Sequence, residues 1–123
     1  MYFFDTYAIV EICKGNPNYI QFREAEAKCS IFNMAETYYV LKTQYDQKLA
    51  ENSLSVTENY LTELSSEVIQ KAMDFRAGFN AKNRKSALSY ADAIGYTYAL
   101  ENDLEFVTGD DAFKNLKGVR FLK

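Results

Sequence analysis

The 123-residue chain contains no histidine at all. That absence excludes Ser-His-Asp and Cys-His nucleophile systems, His-ligated zinc, and cleavage of RNA by paired imidazoles. Any polar chemistry must come from Asp, Glu, Lys, Tyr or a bound ion. Only one Pro and five Gly are present, with no linker-like run, repeat or low-complexity tract. This scarcity argues against disorder and against two domains, and predicts one unit spanning residues 1–123. A chain of this length buries roughly two-thirds of its unfolded surface, so a core forms without a structural metal or disulfide. The two cysteines, Cys13 and Cys29, fit no metal-binding spacing; a bridge between them is open on sequence grounds, and reduced thiols are expected. No basic segment leads into an apolar one, and no apolar run approaches membrane-spanning length. The expectation is a soluble chain in the cytoplasm with no membrane partner.

Tryptophan is also missing, whereas ten Tyr and nine Phe make an unusually aromatic core. The formal net charge of -3 conceals a segregated distribution. Between Asp46 and Glu67, five acids face Lys48 alone; between Lys71 and Lys85, five bases face Asp74 alone; from Lys114 onward there are four more bases and no acid. Such a chain can be acidic overall and still offer basic rims to a phosphate backbone. The same runs also suit solvated helix faces.

Apolar spacing predicts alternating elements. Tyr2-Phe3-Phe4 reads as a strand ending at Asp5, followed by a helix carrying Ala8, Ile9 and Ile12. Pro17 suits the first turn of a helix with Tyr19, Ile20 and Phe22, and Cys29 to Phe32 reads as a second buried strand. Asn33 is placed as the cap of a long helix running to about Leu49, with Met34, Tyr38, Leu41 and Tyr45 on one packed face and Tyr39 about 100° away, available to a partner. Leu54, Leu61 and Leu64 suggest a helix from near Ser53. Val68, Ala72, Phe75 and Phe79 mark another after Ser65, with Gly78 at its exit into a basic loop. A helix from Ser86 to Glu101, a strand from Leu104 to Val107, a turn at Thr108 to Asp111 and a last strand from Val119 to Leu122 complete the chain. The fold expected is α/β: a three-layer α/β/α sandwich around a central parallel sheet.

Ligands of such sheets bind beyond the carboxyl ends of the strands. Asp5 follows the first strand, Glu36 the second and Asp110 the strand ending at Val107, while Asp92 lies one turn into the helix from Ser86. Each acid singly has another explanation, because helix N-termini favour negative charge. Together they repel one another unless a counter-ion intervenes. A hard divalent cation, Mg²⁺ or Mn²⁺, takes oxygen ligands and keeps several waters, and so suits phosphoryl chemistry in a chain without histidine. Thr6, Asn33 and Thr108 lie beside the acids and can fix their orientation, although Asn33 also suits a cap. Lys82, Arg84 and Lys85, just upstream of Asp92, are candidates for holding the phosphates of a nucleic-acid backbone.

Four segments in this order resemble the motifs of PIN-domain proteins: Phe4-Asp5-Thr6-Tyr7-Ala8-Ile9-Val10, Asn33-Met34-Ala35-Glu36-Thr37-Tyr38-Tyr39-Val40-Leu41, Tyr90-Ala91-Asp92-Ala93-Ile94-Gly95 and Phe106-Val107-Thr108-Gly109-Asp110-Asp111-Ala112-Phe113. Within that family the chain is similar to VapC-type toxins of prokaryotic toxin–antitoxin pairs. The resemblance implies a PIN-like fold and a Mg²⁺- or Mn²⁺-dependent endoribonuclease that forms a homodimer and is inhibited by an antitoxin protein. It implies Asp5, Glu36, Asp92 and Asp110 as metal-binding acids assisted by Thr6 and Thr108. Asp111 beside Asp110 competes for the same role. An RNA-processing nuclease without an antitoxin and a non-catalytic PIN-like binding module are the alternatives. An aspartyl-phosphate phosphatase is disfavoured because Tyr7 stands where a second acid is needed, and a receiver domain because only Asp5 lies near the first strand.

Overall fold

A computed structural model describes residues 1–123. Four short strands, β1 (Tyr2–Phe4), β2 (Ala27–Lys28), β3 (Glu105–Thr108) and β4 (Val119–Phe121), form one sheet in the order β2-β1-β3-β4, every pair parallel. Tyr2 pairs with Ala27 on one side and Glu105 on the other. The five helices are α1 (Thr6–Lys14), α2 (Ile31–Gln44), α3 (Gln47–Glu58), α4 (Ser66–Lys82) and α5 (Tyr90–Glu101).

Successive residues of β1 point to opposite faces, and both faces are buried, as a parallel sheet between helices requires. Phe4 joins Ala8, Ile9, Tyr19, Phe22 and Val107 on the α1 side, whereas Phe3 joins Leu88, Tyr96, Phe106 and Phe113 on the α5 side. Phe3 stacks on Phe106 with ring centroids 5.8 Å apart, and Phe4 meets Phe22 and Tyr60 edge-on. The α/β/α sandwich expected from the alternation of elements is therefore present. Both cysteines are free. No helix is long and apolar enough to cross a membrane.

Element boundaries differ from expectation where a cap outweighed apolar spacing. Cys29–Phe32 is not a strand. The strand is Ala27–Lys28; Cys29 makes one isolated parallel bridge to Leu61, and Ile31 and Phe32 form the exposed first turn of α2. Ser30, not Asn33, caps that helix: the Ser30 hydroxyl accepts from Asn33 N–H, and Asn33 Oδ1 accepts from Ser30 N–H, a reciprocal box that starts the helix three residues early. The long helix to Leu49 is two helices. It ends at Gln44, Tyr45 leaves helical geometry (φ -129, ψ -106), and Asp46 caps α3 by accepting from Leu49 N–H at 2.8 Å. Hence α3 starts before Ser53 and ends before Leu61 and Leu64, and Tyr45 is 46% exposed rather than packed.

Pro17 does open a helical segment, a 3-10 turn over Pro17–Phe22. Gly78 lies inside α4, which continues to Lys82. The next helix begins at Tyr90 behind its cap Ser89, not at Ser86, and the sheet's third strand runs one residue later than expected, from Glu105 to Thr108.

Candidate active site

The chain leaves β1 for β2 on one side and returns through β3 on the other. The loops after β1 and β3 therefore diverge and open a crevice beyond their carboxyl ends. A cleft of about 420 Å³ occupies this point, lined by Asp5, Glu36, Asp92 and Asp110 together with Glu11, and by no lysine or arginine.

Asp5 is the cap of α1, and one oxygen accepts from Ala8 N–H at 2.9 Å. The other accepts from the Thr108 hydroxyl, whose oxygen in turn accepts from Asp110 N–H at 3.0 Å. Thr108 thus ties the ends of β1 and β3 together through residues 103 positions apart. Asp110 caps a short turn by accepting from Ala112 N–H at 2.9 Å. Asp92 sits in a second reciprocal box: its Oδ2 accepts from Ser89 N–H at 2.9 Å, and Ser89 Oγ accepts from Asp92 N–H. Each of these three aspartates is held by local backbone while facing the cleft. Glu36, in the second turn of α2, has no hydrogen-bonding or ionic partner in the chain. Gly109 matters here because a Cβ would lie 2.3 Å from the Tyr7 ring and 2.5 Å from the Leu122 carbonyl.

The electrostatics follow from this enclosure. Asp5 is 2% exposed; burial pushes its carboxyl from 3.8 up to about 8, with the negative fields of Asp92 and Asp110 adding and the Thr108 and Ala8 donors partly offsetting. Burial raises Asp92 to about 6, reinforced by Glu36 and Asp110 and opposed by Ser89. These mutual effects show that the four carboxyls feel one another's charge.

Thr6 lines the cleft beside Asp5, and the buried Asn33 stands behind it with Nδ2 donating to Thr6 Oγ1 at 3.3 Å, so Asn33 serves both the helix start and this contact. Asp111 stands apart: its side chain is 73% exposed and pairs with Lys123 at 3.3 Å, outside the cleft. Lys82, Arg84 and Lys85 also lie outside, exposed on the end of α4 and the turn after it. Ser89, Tyr7, Glu11 and Gln44 line the cleft and escaped the sequence reading. Only Ser89 carried a usable signal, the Ser-x-x-Asp spacing that precedes a helix.

A model of the PIN domain family matches residues 2–119. The chain belongs to the PIN domain family. Solved structures with the PIN fold agree over nearly the whole length. A toxin–antitoxin complex from Klebsiella pneumoniae is 20% identical with a TM-score of 0.71, covering 98% of this chain and 96% of that one. VapC20 of Mycobacterium tuberculosis, a toxin that cleaves the sarcin-ricin loop, is 10% identical with a TM-score of 0.71, over 93% and 92%. VapBC2 of Rickettsia felis, bound to a DNA fragment from its promoter, is 16% identical with a TM-score of 0.69, over 98% and 96%. No curated protein sequence matches significantly.

The PIN cleft suits a hard cation chemically. Its charged groups are all carboxylates, and burial, with the neighbouring acids adding, raises the pKa of Asp5 and Asp92, a cost that a divalent ion would offset. No three of the acids stand together as a ready-made ligand set, so a cation held here would keep part of its coordination to water or substrate oxygen. That suits Mg²⁺ and Mn²⁺, which retain several waters.

Proposed function

We propose that this PIN protein is a Mg²⁺- or Mn²⁺-dependent endoribonuclease and the toxin of a toxin–antitoxin pair. The observation that carries the reading is the meeting of Asp5, Glu36, Asp92 and Asp110 in one cation-free cleft at the sheet's switch point. In this reading the four acids hold the metal, and Thr6, Asn33 and Thr108 fix their orientation. When bound, the ion supplies Lewis acidity that makes water a nucleophile near neutral pH and offsets charge at the phosphodiester.

The chain's own residues set the rest. Ala8 N–H and Thr108 fix both oxygens of Asp5, and Ser89 and Ala112 N–H groups fix one oxygen each of Asp92 and Asp110, leaving the others facing the cleft. Asp5, whose carboxyl burial pushes up to about 8, would hold a cation in its deprotonated form, so metal affinity would rise with pH. Water adds in line to phosphorus and the bond to the 3′ oxygen breaks, giving 5′-phosphate and 3′-hydroxyl ends. Lys82, Arg84 and Lys85 hold flanking phosphates of the RNA.

The partner assignments in this reading are a cognate antitoxin and a second copy of the chain. The toxin–antitoxin assemblies among its structural neighbours support the antitoxin, and the family resemblance supports the homodimer and a cytoplasmic setting. The decisive experiment is cleavage of total RNA by purified protein with Mg²⁺ or Mn²⁺, with and without EDTA, beside a folded Asp5→Asn variant. Metal-dependent cutting that the variant lacks is the expected result. Equal cutting by both variants rejects the site, and failure of Mn²⁺ to bind in a calorimetric titration favours a non-catalytic binding module.

A further inference from the structure

The first turn of α5 carries two residues of opposite character. Asp92 and the cap Ser89 face the cleft, while Tyr90 between them is 60% exposed on the shoulder toward α4. Its ring is not loose. The Arg76 guanidinium lies over one face, 4.3 Å from the centroid. Arg76 is itself anchored, because Nε donates to the Leu88 carbonyl at 2.9 Å. Asn80 grips the same residue twice, donating to that carbonyl at 3.1 Å and accepting from Leu88 N–H at 2.8 Å, and Leu88 is 1% exposed in the core. The segment that presents Tyr90 is therefore clamped to α4 on both backbone groups, and the second face of the ring looks into solvent.

The surroundings define the ligand. No carboxylate pairs with Arg76, Lys82, Arg84 or Lys85, so none of their charge is neutralised by the chain itself. Lys82 follows Arg76 by six positions, about 9 Å along α4, and Arg84 and Lys85 lie in the turn beyond it, so three exposed cations cluster at the C-terminal end of the helix that carries Arg76. An open aromatic face backed by Arg76, with an acidic cleft on one side and the exposed Lys82, Arg84 and Lys85 at the end of α4, is matched by a polymer that alternates flat bases with phosphates. A protein surface offers no such alternation.

We infer that Tyr90, backed by Arg76, is a stacking platform for a nucleobase of single-stranded RNA flanking the scissile phosphate. The inference rests on the nuclease reading above and adds a positioning residue to it. Every base has a π face, so stacking on Tyr90 fixes the path of the strand without demanding a particular sequence, while Arg76 lends its charge to the sandwich.

The test uses the full chain in EDTA with a single-stranded oligoribonucleotide carrying 2-aminopurine, which reports stacking by quenching. Tyr90→Ala and Tyr90→Leu weaken binding about 10-fold and abolish the quench, Tyr90→Phe stays within about 2-fold, and the slope of log affinity against log salt is unchanged in all three, because stacking neutralises no phosphate. Thermal melts confirm that each variant is folded. Wild-type affinity in Tyr90→Ala, or equal loss in Tyr90→Phe, overturns the inference. So does a change of oligomeric state with RNA binding intact, which would make Tyr90 a protein contact. If wild type cleaves RNA and Tyr90→Ala binds and cleaves alike, the platform falls and the nuclease stands; if wild type neither binds nor cleaves, both fall.

Discussion

Asp5 is at once a helix cap, the partner of Thr108 and an acid in a crowded cleft, and these roles conflict in the metal-free protein. Its carboxyl titrates near 3.8 in the unfolded chain and at about 8 when folded, so between those values the native state binds the extra proton. Stability therefore falls as pH rises through that window, and Asp92, raised to about 6, adds to the slope over its lower part. Thermal melts in EDTA from about pH 5 to pH 9 are expected to show a declining Tm that Asp5→Asn flattens, since the amide keeps a cap acceptor without a charge. Saturating Mn²⁺ reverses the trend, raising Tm most at the alkaline end where protons no longer compete. A Tm independent of pH in the wild type would contradict the raised carboxyl. Thr108→Val removes the hydroxyl shared by Asp5 and Asp110 while keeping the branched shape that suits β3. Calorimetry should then show Mn²⁺ affinity lower by about 10–100-fold with the fold intact.

Among elements, the two helical glycines on the α4 and α5 layer carry opposite predictions. Gly95 lies where α5 crosses the sheet, and a Cβ there would sit 2.6 Å from the Phe3 ring, itself stacked on Phe106. Gly95→Ala is expected to destabilise by about 1–3 kcal/mol through overpacking. Gly78 is exposed within α4 with nothing near its missing Cβ, so Gly78→Ala stabilises by roughly 0.5–1 kcal/mol. Chemical-denaturant midpoints on the pair measure both signs at once.

The same elements show what a reader of the sequence can and cannot obtain. Tyr2-Phe3-Phe4 and, to within one residue, the strand expected at Leu104–Val107 are legible because a buried apolar run stops at a polar turn carrying an acid, Asp5 directly and Asp110 after Thr108-Gly109, and the alternation of strands with helices then dictates a parallel sheet. Ile31-Phe32 misled because an apolar pair at a helix start looks like a strand until the Ser30 and Asn33 box is recognised, and the break at Tyr45 left no glycine or proline to mark it. The four acids were legible by order along the chain. Which of Asp110 and Asp111 faces inward was not, because that depends on a 3-10 turn and on Lys123 arriving from the chain's end.

For the whole molecule, charge separation matters more than the net value of -3. The charged side chains lining the cleft are all acidic, whereas Lys82, Arg84 and Lys85 are exposed outside it, so in the nuclease reading the polyanion is held by these bases rather than by the cleft wall. Replacing Lys82, Arg84 and Lys85 together by Ala is expected to weaken RNA binding for all sequences and to reduce the salt slope by about 2, roughly 0.7 for each single-strand phosphate released. Unchanged slope in a filter-binding salt series would remove these residues from the RNA path.

The bond between Thr108 and Asp5 joins strands synthesised almost at opposite ends of the chain, and β1 has no second long neighbour until β3 appears. Asp5, Glu36 and Asp92 are therefore all made before β3 exists, and they wait unassembled until residues 105–108 are available. Parallel pairing of such distant segments is slow and must await the later strand. A ribosome that has not yet reached β3 therefore carries no finished cleft, and whatever chemistry the four acids perform can begin only after residues 105–108 have emerged and paired with β1.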